Sequence, residues 1–164
     1  YISRISQLKK TVRKYPQESY IIITERCIET DKNVFAKMLY VDDKIHPINY
    51  QIYLKWFDEF VYDIPIQSYI YLKTEPEICL QRIIKRDRKG ETISLDYLKK
   101  CNSYHNEWLD ERNNKLVIDV TQKMSNEIFN IWVNDIIEYI DIGNYIRNDK
   151  EIPSNSILTS NHFC

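Results

Sequence analysis

The chain has 164 residues, 43% of them hydrophobic and 29% charged, as in an ordinary globular domain. Its formal net charge of −1 provides no general attraction to nucleic acid or to an anionic membrane. A phosphate-binding site would therefore need a local cluster of basic residues. No apolar run approaches the roughly 20 residues that span a bilayer, and no signal peptide is visible.

The first half of the chain predicts three helices and one strand. Tyr1–Lys14 has apolar residues at near-helical spacing, and Tyr20–Thr24 is a continuous apolar run typical of a buried strand. Thr30 is a plausible N-cap for a helix over Asp31–Tyr40. The third helix, Ile48–Tyr62, carries a thick aromatic stripe that favours packing in a core or a dimer over a ligand site.

The second half repeats the alternation of strands and helices. Its predicted features are a strand at Tyr69–Leu72, a Thr74–Glu77 capping box opening a helix to Arg86, a helix capped by Ser94 that runs past Trp108, a strand at Leu116–Val120, and a helix from Ser125 through Tyr139. Strands that alternate with long helices form βαβ units, so we expect an α/β fold with a parallel sheet.

The pattern fails after about Asp141, where Asn, Asp, Ser and Pro dominate the sequence. We therefore predict one domain over residues 1–141 and a polar, disordered tail over residues 142–164.

The four cysteines show no metal-ligand spacing with each other or with the three histidines. Cys27, Cys79, Cys101 and Cys164 form no CxxC pair, which favours reduced thiols in an intracellular protein and argues against zinc. The expected location is the cytoplasm. A mitochondrial location stays open, because the sequence begins at Tyr1 and not at Met.

An acidic and a basic residue follow the first strand directly. Glu25 and Arg26 come after the apolar run Tyr20–Thr24. In α/β proteins, ligands bind at the carboxyl ends of parallel strands. A charged pair at such a place suits a phosphate, a metal ion, or both.

A second charged cluster follows the helix that ends near Arg86. Arg82 and Arg86 lie four residues apart and share a helical face, and Arg88 follows just beyond. Converging guanidiniums can clamp phosphate oxygens, and Gly90 could act as the hinge of a lid over a nucleotide. The alternatives are a solvated charged face, a localisation-type basic run, or a basic nucleic-acid patch over Lys85–Lys89.

Together these residues carry a family likeness. Glu25-Arg26-Cys27, followed by Asp31 and Phe35-Ala36, resembles the Glu-Arg-Ser…Asp…Phe-Ala signature of the deoxynucleoside kinases, the family of deoxycytidine, deoxyguanosine and deoxyadenosine kinases. Cys27 stands where that family usually has serine. Further matches lie downstream: Tyr71-Leu72, Pro76-Glu77, Cys79-Leu80, Arg82-Ile83, Arg86, Arg88, Tyr97-Leu98 and Trp108-Leu109. The likeness covers roughly residues 1–140.

The resemblance implies ATP-dependent phosphorylation of a deoxyribonucleoside 5′-hydroxyl, a step of nucleotide salvage, with ATP and Mg²⁺. Glu25 would help hold Mg²⁺. Arg26 would contact the 5′-hydroxyl and the phosphoryl group in transit. Arg82, Arg86 and Arg88 would bind the ATP phosphates, the last two also stabilising the transition state.

The resemblance also assigns the nucleoside contacts. Phe35 would stack on the base, and Glu91 would accept a hydrogen bond from the sugar 3′-hydroxyl. Arg4 matches the family's base-reading arginine and Asp31 its carboxylate partner. This pair is typical of the cytidine and purine kinases, so we expect thymidine to be a poor substrate.

The implied fold is a three-layer P-loop-kinase-like parallel sheet with helices on both faces. No G-x-x-x-x-G-K-[ST] motif occurs, and the only glycines are Gly90 and Gly143. We therefore expect an amino-terminal truncation that lacks the first two strands, the phosphate loop and the general base, and whose 164 residues alone have no kinase activity.

The expected partners are a deoxynucleoside, ATP and a second copy bound through the long aromatic helices, with no nucleic acid or membrane. Two other functions stay open. One is a non-catalytic remnant that pairs with an intact subunit, and the other is the basic-patch nucleic-acid binder.

Overall fold

The structure is a computed structural model that describes residues 2–14, 21–61, 64, 68–145 and 157–159. These residues form seven α-helices and four short strands. In chain order the elements are α1 (Ile2–Lys14), β1 (Ile21–Ile23), α2 (Ile28–Thr30), a π-helical segment (Asp31–Ala36), α3 (Lys37–Val41), α4 (Pro47–Val61), β2 (Tyr69–Lys73), α5 (Pro76–Arg86), α6 (Leu95–Asp110), β3 (Lys115–Asp119), α7 (Asn126–Tyr145) and β4 (Ile157–Thr159).

The chain divides into two units. Unit 1 comprises Tyr1–Pro65 and Pro153–Cys164, and unit 2 comprises Ile66–Ile152. None of the described helices combines the length and the apolar character needed to cross a membrane.

Unit 1 is built around a small apolar core. Ile5 of α1, Ile28 of α2, Phe57 of α4 and the nearby Ile64 are buried together. Burying aliphatic and aromatic side chains of this size contributes about 1.5–3 kcal/mol each. Since α2 follows β1 after only four residues, this core also fixes the backbone at the end of β1.

Unit 2 centres on the parallel pair of β2 and β3, whose register runs from Tyr69 opposite Lys115 to Lys73 opposite Asp119. The ring of Tyr69 meets the buried Trp108 of α6 edge-on, with centroids 5.4 Å apart. Ile118 of β3 is also buried. The strand pairing is parallel, as the alternation of strands and helices predicts.

The structure corrects the predicted tail at two places. Helix α7 continues to Tyr145, and Ile157–Thr159 forms a strand that pairs in parallel with β1. Ile157 and Thr159 are β-branched and favour extended backbone. A three-residue strand among polar residues leaves little periodicity to detect. Within the predicted tail, residues 146–156 and 160–164 lie outside the described residues.

Two predicted helix caps were wrong and one was confirmed. Thr30 is itself helical, because the extended Cys27 places the helix start at Ile28. Thr74 does not cap α5: Pro76, whose fixed φ suits a first helical position, places the N-cap at Glu75. The predicted cap of α6 is present, because Ser94 Oγ accepts from the Tyr97 amide at 3.2 Å. Ser125 was predicted only as the start of the last helix, and its Oγ accepts from the Ile128 amide at 3.3 Å.

Candidate functional site

The turn after β1 carries the Glu25-Arg26 pair on strained backbone. Arg26 has a φ of 60°, in the left-handed region that costs a non-glycine residue about 1–3 kcal/mol and is found mostly at functional sites. The Thr24 hydroxyl donates to the Arg26 carbonyl oxygen at 3.4 Å. Glu25 and Arg26 are both exposed, so the turn presents an acid and a base to solvent.

The Arg26 side chain lies against an aromatic ring. Its guanidinium carbon is 5.7 Å from the centroid of the Phe35 ring, within the range of a cation–π contact. Phe35 belongs to the π-helical segment, and such insertions occur often at functional sites. The sequence assigned Phe35 and Arg26 separate roles, whereas the structure places them in contact.

The predicted base-reading residues form an ion pair. One nitrogen of the Arg4 guanidinium, Nη1, lies 3.0 Å from Asp31 Oδ1 and 3.1 Å from Oδ2. The pair joins α1 to the start of the π-helical segment, and the side chains are 36% and 19% exposed. A carboxylate and a guanidinium held this way still have oxygens and N–H groups for a ligand.

The residue that replaces the family's serine is a shielded thiol. Cys27 Sγ lies 3.3 Å from Thr30 Oγ1. Burial raises the pKa of the Cys27 thiol, opposed in part by this hydrogen bond. A thiol with a raised pKa is a poor nucleophile at neutral pH, so Cys27 packs the start of α2.

In unit 2 the charged turn reverses direction after α5. Asp87 ends the helix with a φ of 47°, and Gly90 has a φ of 81°. The Glu91 amide donates to the Arg88 carbonyl oxygen at 3.1 Å and closes the turn. A surface cleft of about 280 Å³ lies between α5 and this turn, lined by Leu80, Ile83, Ile84, Asp87, Arg88, Glu91, Thr92 and Ile93.

The turn brings Arg86 and Glu91 together. Arg86 Nη2 lies 2.7 Å from Glu91 Oε1 and 2.6 Å from Oε2. Both residues were predicted to bind substrate, and in the structure each satisfies the other. Their ion pair lowers the net positive charge of the turn, which leaves Arg88 as its most available guanidinium.

Arg82 contacts protein backbone. Its Nη2 donates to the carbonyl oxygens of Val120, Thr121 and Gln122, which follow β3. Arg82 therefore ties α5 to this loop, a contact that its predicted role in ATP binding did not include. The sequence offered no signal for it, because the partners are main-chain atoms 38–40 residues away.

Two predicted site residues keep their charged groups available. Within the described part of the chain, the Arg88 guanidinium and the Glu25 carboxylate have no hydrogen-bond or ion-pair partner. No group of three or more metal-ligating side chains occurs among residues 2–14, 21–61, 64, 68–145 and 157–159. Mg²⁺ at a phosphoryl-transfer site is held by one or two carboxylates and the substrate phosphates. A single carboxylate such as Glu25 fits that requirement.

A protein-family model described as deoxynucleoside kinase matches residues 1–141 of this chain. The chain belongs to the deoxynucleoside kinase family. Membership implies a P-loop kinase fold, with which the described helices and short parallel strand pairs agree. The three-layer arrangement and the roles of individual site residues stay predictions.

Three relatives illustrate the range of substrates named in the family. A protein of fowlpox virus (strain NVSL), named as a probable deoxycytidine kinase, is 44% identical over 97 residues, covering 56% of this chain and 40% of the relative. Human mitochondrial thymidine kinase 2 is 36% identical over 97 residues (57% and 37%). Mouse deoxycytidine kinase is 34% identical over 112 residues (65% and 43%). The chain thus spans about two fifths of the length of these relatives.

Proposed function

We propose that the protein containing this chain transfers the γ-phosphoryl group of ATP to the 5′-hydroxyl of a deoxyribonucleoside. In this reaction the 5′-oxygen bonds to the γ-phosphorus, the bond to the ADP oxygen breaks, and the 5′-hydroxyl proton is lost. Family membership supports the reaction class. The observation that carries it to this chain's residues is the exposed Glu25-Arg26 turn with its strained Arg26.

The proposed roles follow from charge and availability. Arg26 contacts the 5′-hydroxyl and the moving phosphoryl group, while Arg88 and Arg86 stabilise the charge that spreads over the phosphoryl oxygens in a loose transition state. Mg²⁺, with Glu25 as its protein ligand, would neutralise phosphate charge. No residue of this chain is assigned as the base that removes the 5′-hydroxyl proton.

The donor contacts are proposed to change when ATP binds. Arg86 is paired with Glu91, so ATP phosphates would have to compete with a carboxylate for it. Glu91 has acceptor capacity beyond this pair and could also accept from the sugar 3′-hydroxyl. Arg82 holds the loop after β3. It would contribute to ATP binding by fixing that loop as well as by its own positive charge.

The Arg4–Asp31 pair supports a preference for cytidine or purine bases over thymine. A guanidinium and a carboxylate together offer donors and acceptors to the polar edge of a base, whereas they leave little apolar room for a 5-methyl group. The relatives named above include both deoxycytidine and thymidine kinases, so their names do not favour one base over another. The support for this base preference is the Arg4–Asp31 pair alone.

The direct test measures product formation by the intact natural protein that contains this sequence. Deoxycytidine, deoxyadenosine, deoxyguanosine and thymidine are each supplied with ATP and Mg²⁺, and the 5′-monophosphate is quantified. We expect phosphorylation, with thymidine the poorest acceptor. No phosphorylation of any nucleoside would refute the activity, and thymidine as the best acceptor would refute only the base preference.

We also propose that the protein forms a homodimer through α4. Four large side chains on one face of this helix are exposed: Ile48 (63%), Ile52 (50%), Trp56 (52%) and Phe60 (37%). Their spacing of four residues makes a continuous apolar stripe. Light scattering of the intact protein should give twice the monomer mass, and Trp56→Lys should halve it. Gln51→Lys, which changes an exposed polar position on the same helix, should leave the mass unchanged.

The nucleic-acid alternative receives less support. In the run Lys85–Lys89, Asp87 and the Arg86–Glu91 ion pair reduce the local positive charge. A steep decrease of nucleic-acid affinity with salt concentration would favour that alternative.

A further inference from the structure

We propose that Phe35 and Thr24 are positioning residues for Arg26, the first acting on its guanidinium and the second on its backbone. This inference rests on the proposed function, in which Arg26 contacts the reacting 5′-hydroxyl. It adds to the base-stacking role of Phe35 a second role that acts through Arg26.

The need for positioning follows from the exposure of Arg26. A solvent-exposed arginine has many rotamers of similar energy, and a catalytic group that is displaced by about 1 Å can lose a large part of its effect. Arg26 lies after a strand of only three residues, so the strand itself provides little restraint. The required order must come from contacts made by the turn.

Two contacts provide this order. The Thr24 hydroxyl donates to the Arg26 carbonyl oxygen at 3.4 Å and spans the residue whose φ is 60°. The Phe35 ring faces the Arg26 guanidinium at 5.7 Å. Phe35 is placed by the helix whose neighbouring Val34 and Ala36 are buried, so the ring belongs to a rigid element. The Thr24 contact holds the backbone of Arg26, and the Phe35 contact holds its guanidinium.

The chemistry of each contact predicts which substitutions preserve it. A cation is attracted by the negative face of an aromatic ring, so tyrosine should replace Phe35 and leucine should not. A hydroxyl is required at position 24, so serine should replace Thr24 and the similarly shaped valine should not. Leucine at 35 would still give an apolar surface to the base.

The experiment uses the intact natural protein and separates kcat from KM for its best nucleoside. We expect Phe35→Leu to lower kcat by about 5- to 100-fold and Phe35→Tyr to stay within about threefold. Thr24→Val should lower kcat in the same direction, and Thr24→Ser should restore it. Tyr40→Leu is the control, because Tyr40 stacks on Tyr50 at 4.3 Å and makes no contact with Arg26.

Nuclear magnetic resonance of arginine-labelled protein gives a second readout that needs no activity. The Arg26 side-chain resonances, assigned by their loss in Arg26→Lys, should show a ring-current shift that disappears in Phe35→Leu and persists in Phe35→Tyr. If Phe35→Leu raises only KM and leaves the Arg26 resonances in place, the inference is wrong. If the protein phosphorylates no nucleoside, the proposed function fails, and the resonances alone decide whether Phe35 positions Arg26.

Discussion

The candidate residues of unit 1 and unit 2 are held in different ways. In unit 1, Asp31 and Phe35 lie on a helix with buried neighbours, and Arg4 and Arg26 contact these two side chains. In unit 2, the candidate residues belong to the exposed end of α5 and the turn that follows it. Arg88 there has no ion-pair or hydrogen-bond partner for its guanidinium within the described residues.

Because of this difference, we expect substitutions in the two units to affect stability and activity differently. A substitution in the unit 1 cluster disturbs contacts that also support the local packing, so recognition and stability should change together. A substitution in the exposed turn of unit 2 removes few native contacts, so it should change the rate and leave stability unchanged. We therefore expect a different outcome for each unit when kinetic constants and unfolding free energies are measured for the same variants.

The largest effect is expected for Arg88→Ala. Removing one donor that stabilises transition-state charge lowers kcat by about 10²- to 10³-fold. The free energy of unfolding should change by no more than about 0.5 kcal/mol, because Arg88 is exposed and its guanidinium is unpaired in the described part of the chain. Steady-state kinetics and urea unfolding of the intact protein test both statements.

Lys89→Ala is the matched control for Arg88→Ala. Lys89 is an exposed cation in the same turn and has no assigned role. Lys89→Ala should leave kcat nearly unchanged. An equal loss of kcat in both variants would mean that the turn acts through its total charge and that Arg88 has no specific function.

The second effect concerns the Arg4–Asp31 pair. Asp31→Ala leaves Arg4 without its carboxylate, so kcat/KM for deoxycytidine or a purine nucleoside should fall by about tenfold or more relative to thymidine. Stability should fall as well, by about 1 kcal/mol at most, because the pair is partly exposed. The measurements are the ratio of kcat/KM values and the urea midpoint.

Asp58→Ala controls for the loss of any ion pair in unit 1. Asp58 Oδ1 accepts a hydrogen bond from Lys32 Nζ at 2.7 Å. Neither residue has a proposed role in recognising the nucleobase. The nucleoside preference should be unchanged in this variant. A shift in preference as large as that of Asp31→Ala would show that the effect is general to the unit.

The third effect tests whether Arg82 organises the loop after β3. Arg82→Lys keeps the charge but loses the planar guanidinium with its larger set of N–H donors, so it should hold fewer of the three carbonyl groups. Amide hydrogen exchange across Val120–Gln122 should become severalfold faster, while exchange in α6 should not change. Unchanged exchange in the loop would return Arg82 to a role in phosphate binding alone.

Local sequence rules predicted the parts of the fold that depend on local physics. The Ser94 cap follows from a hydroxyl before an apolar helical pattern, and the parallel pairing follows from the alternation of strands and helices. The strand β4 was missed because three residues are too few for a periodicity. The predicted cap at Thr74 was wrong by one residue because Pro76, whose fixed φ suits the first helical position, places the N-cap at Glu75.

The residues of the candidate site and one of their contacts were predictable from the sequence, but the contact between Arg86 and Glu91 was not. Family resemblance named Arg4 with Asp31, and the structure brings these two together over a separation of 27 residues. The family resemblance did not indicate that Arg86 would form an ion pair with Glu91. That contact requires Asp87 to adopt left-handed backbone and reverse the chain, which is rare for a residue other than glycine.

The smallest effect is a difference in alkaline stability between the half-buried thiols of the two units. Burial raises the pKa of Cys27, so the thiol stays protonated in the native state at a pH where it ionises in the unfolded chain. Its contribution is complete below the ordinary thiol pKa of about 8.5 and is lost as the pH rises above it. Cys27→Ser should therefore lose less stability than the natural protein between pH 7 and pH 10.

Cys79 of α5 provides the comparison from unit 2. Burial also raises the pKa of Cys79, but the side chain is less shielded and the nearby Arg82 lowers the pKa. Cys79→Ser should therefore change the alkaline loss of stability less than Cys27→Ser does, as urea unfolding at the two pH values would measure. The reverse order would mean that the packing around the end of β1 is looser than that around α5, and the contrast between the packed candidate residues of unit 1 and the exposed ones of unit 2 would no longer hold.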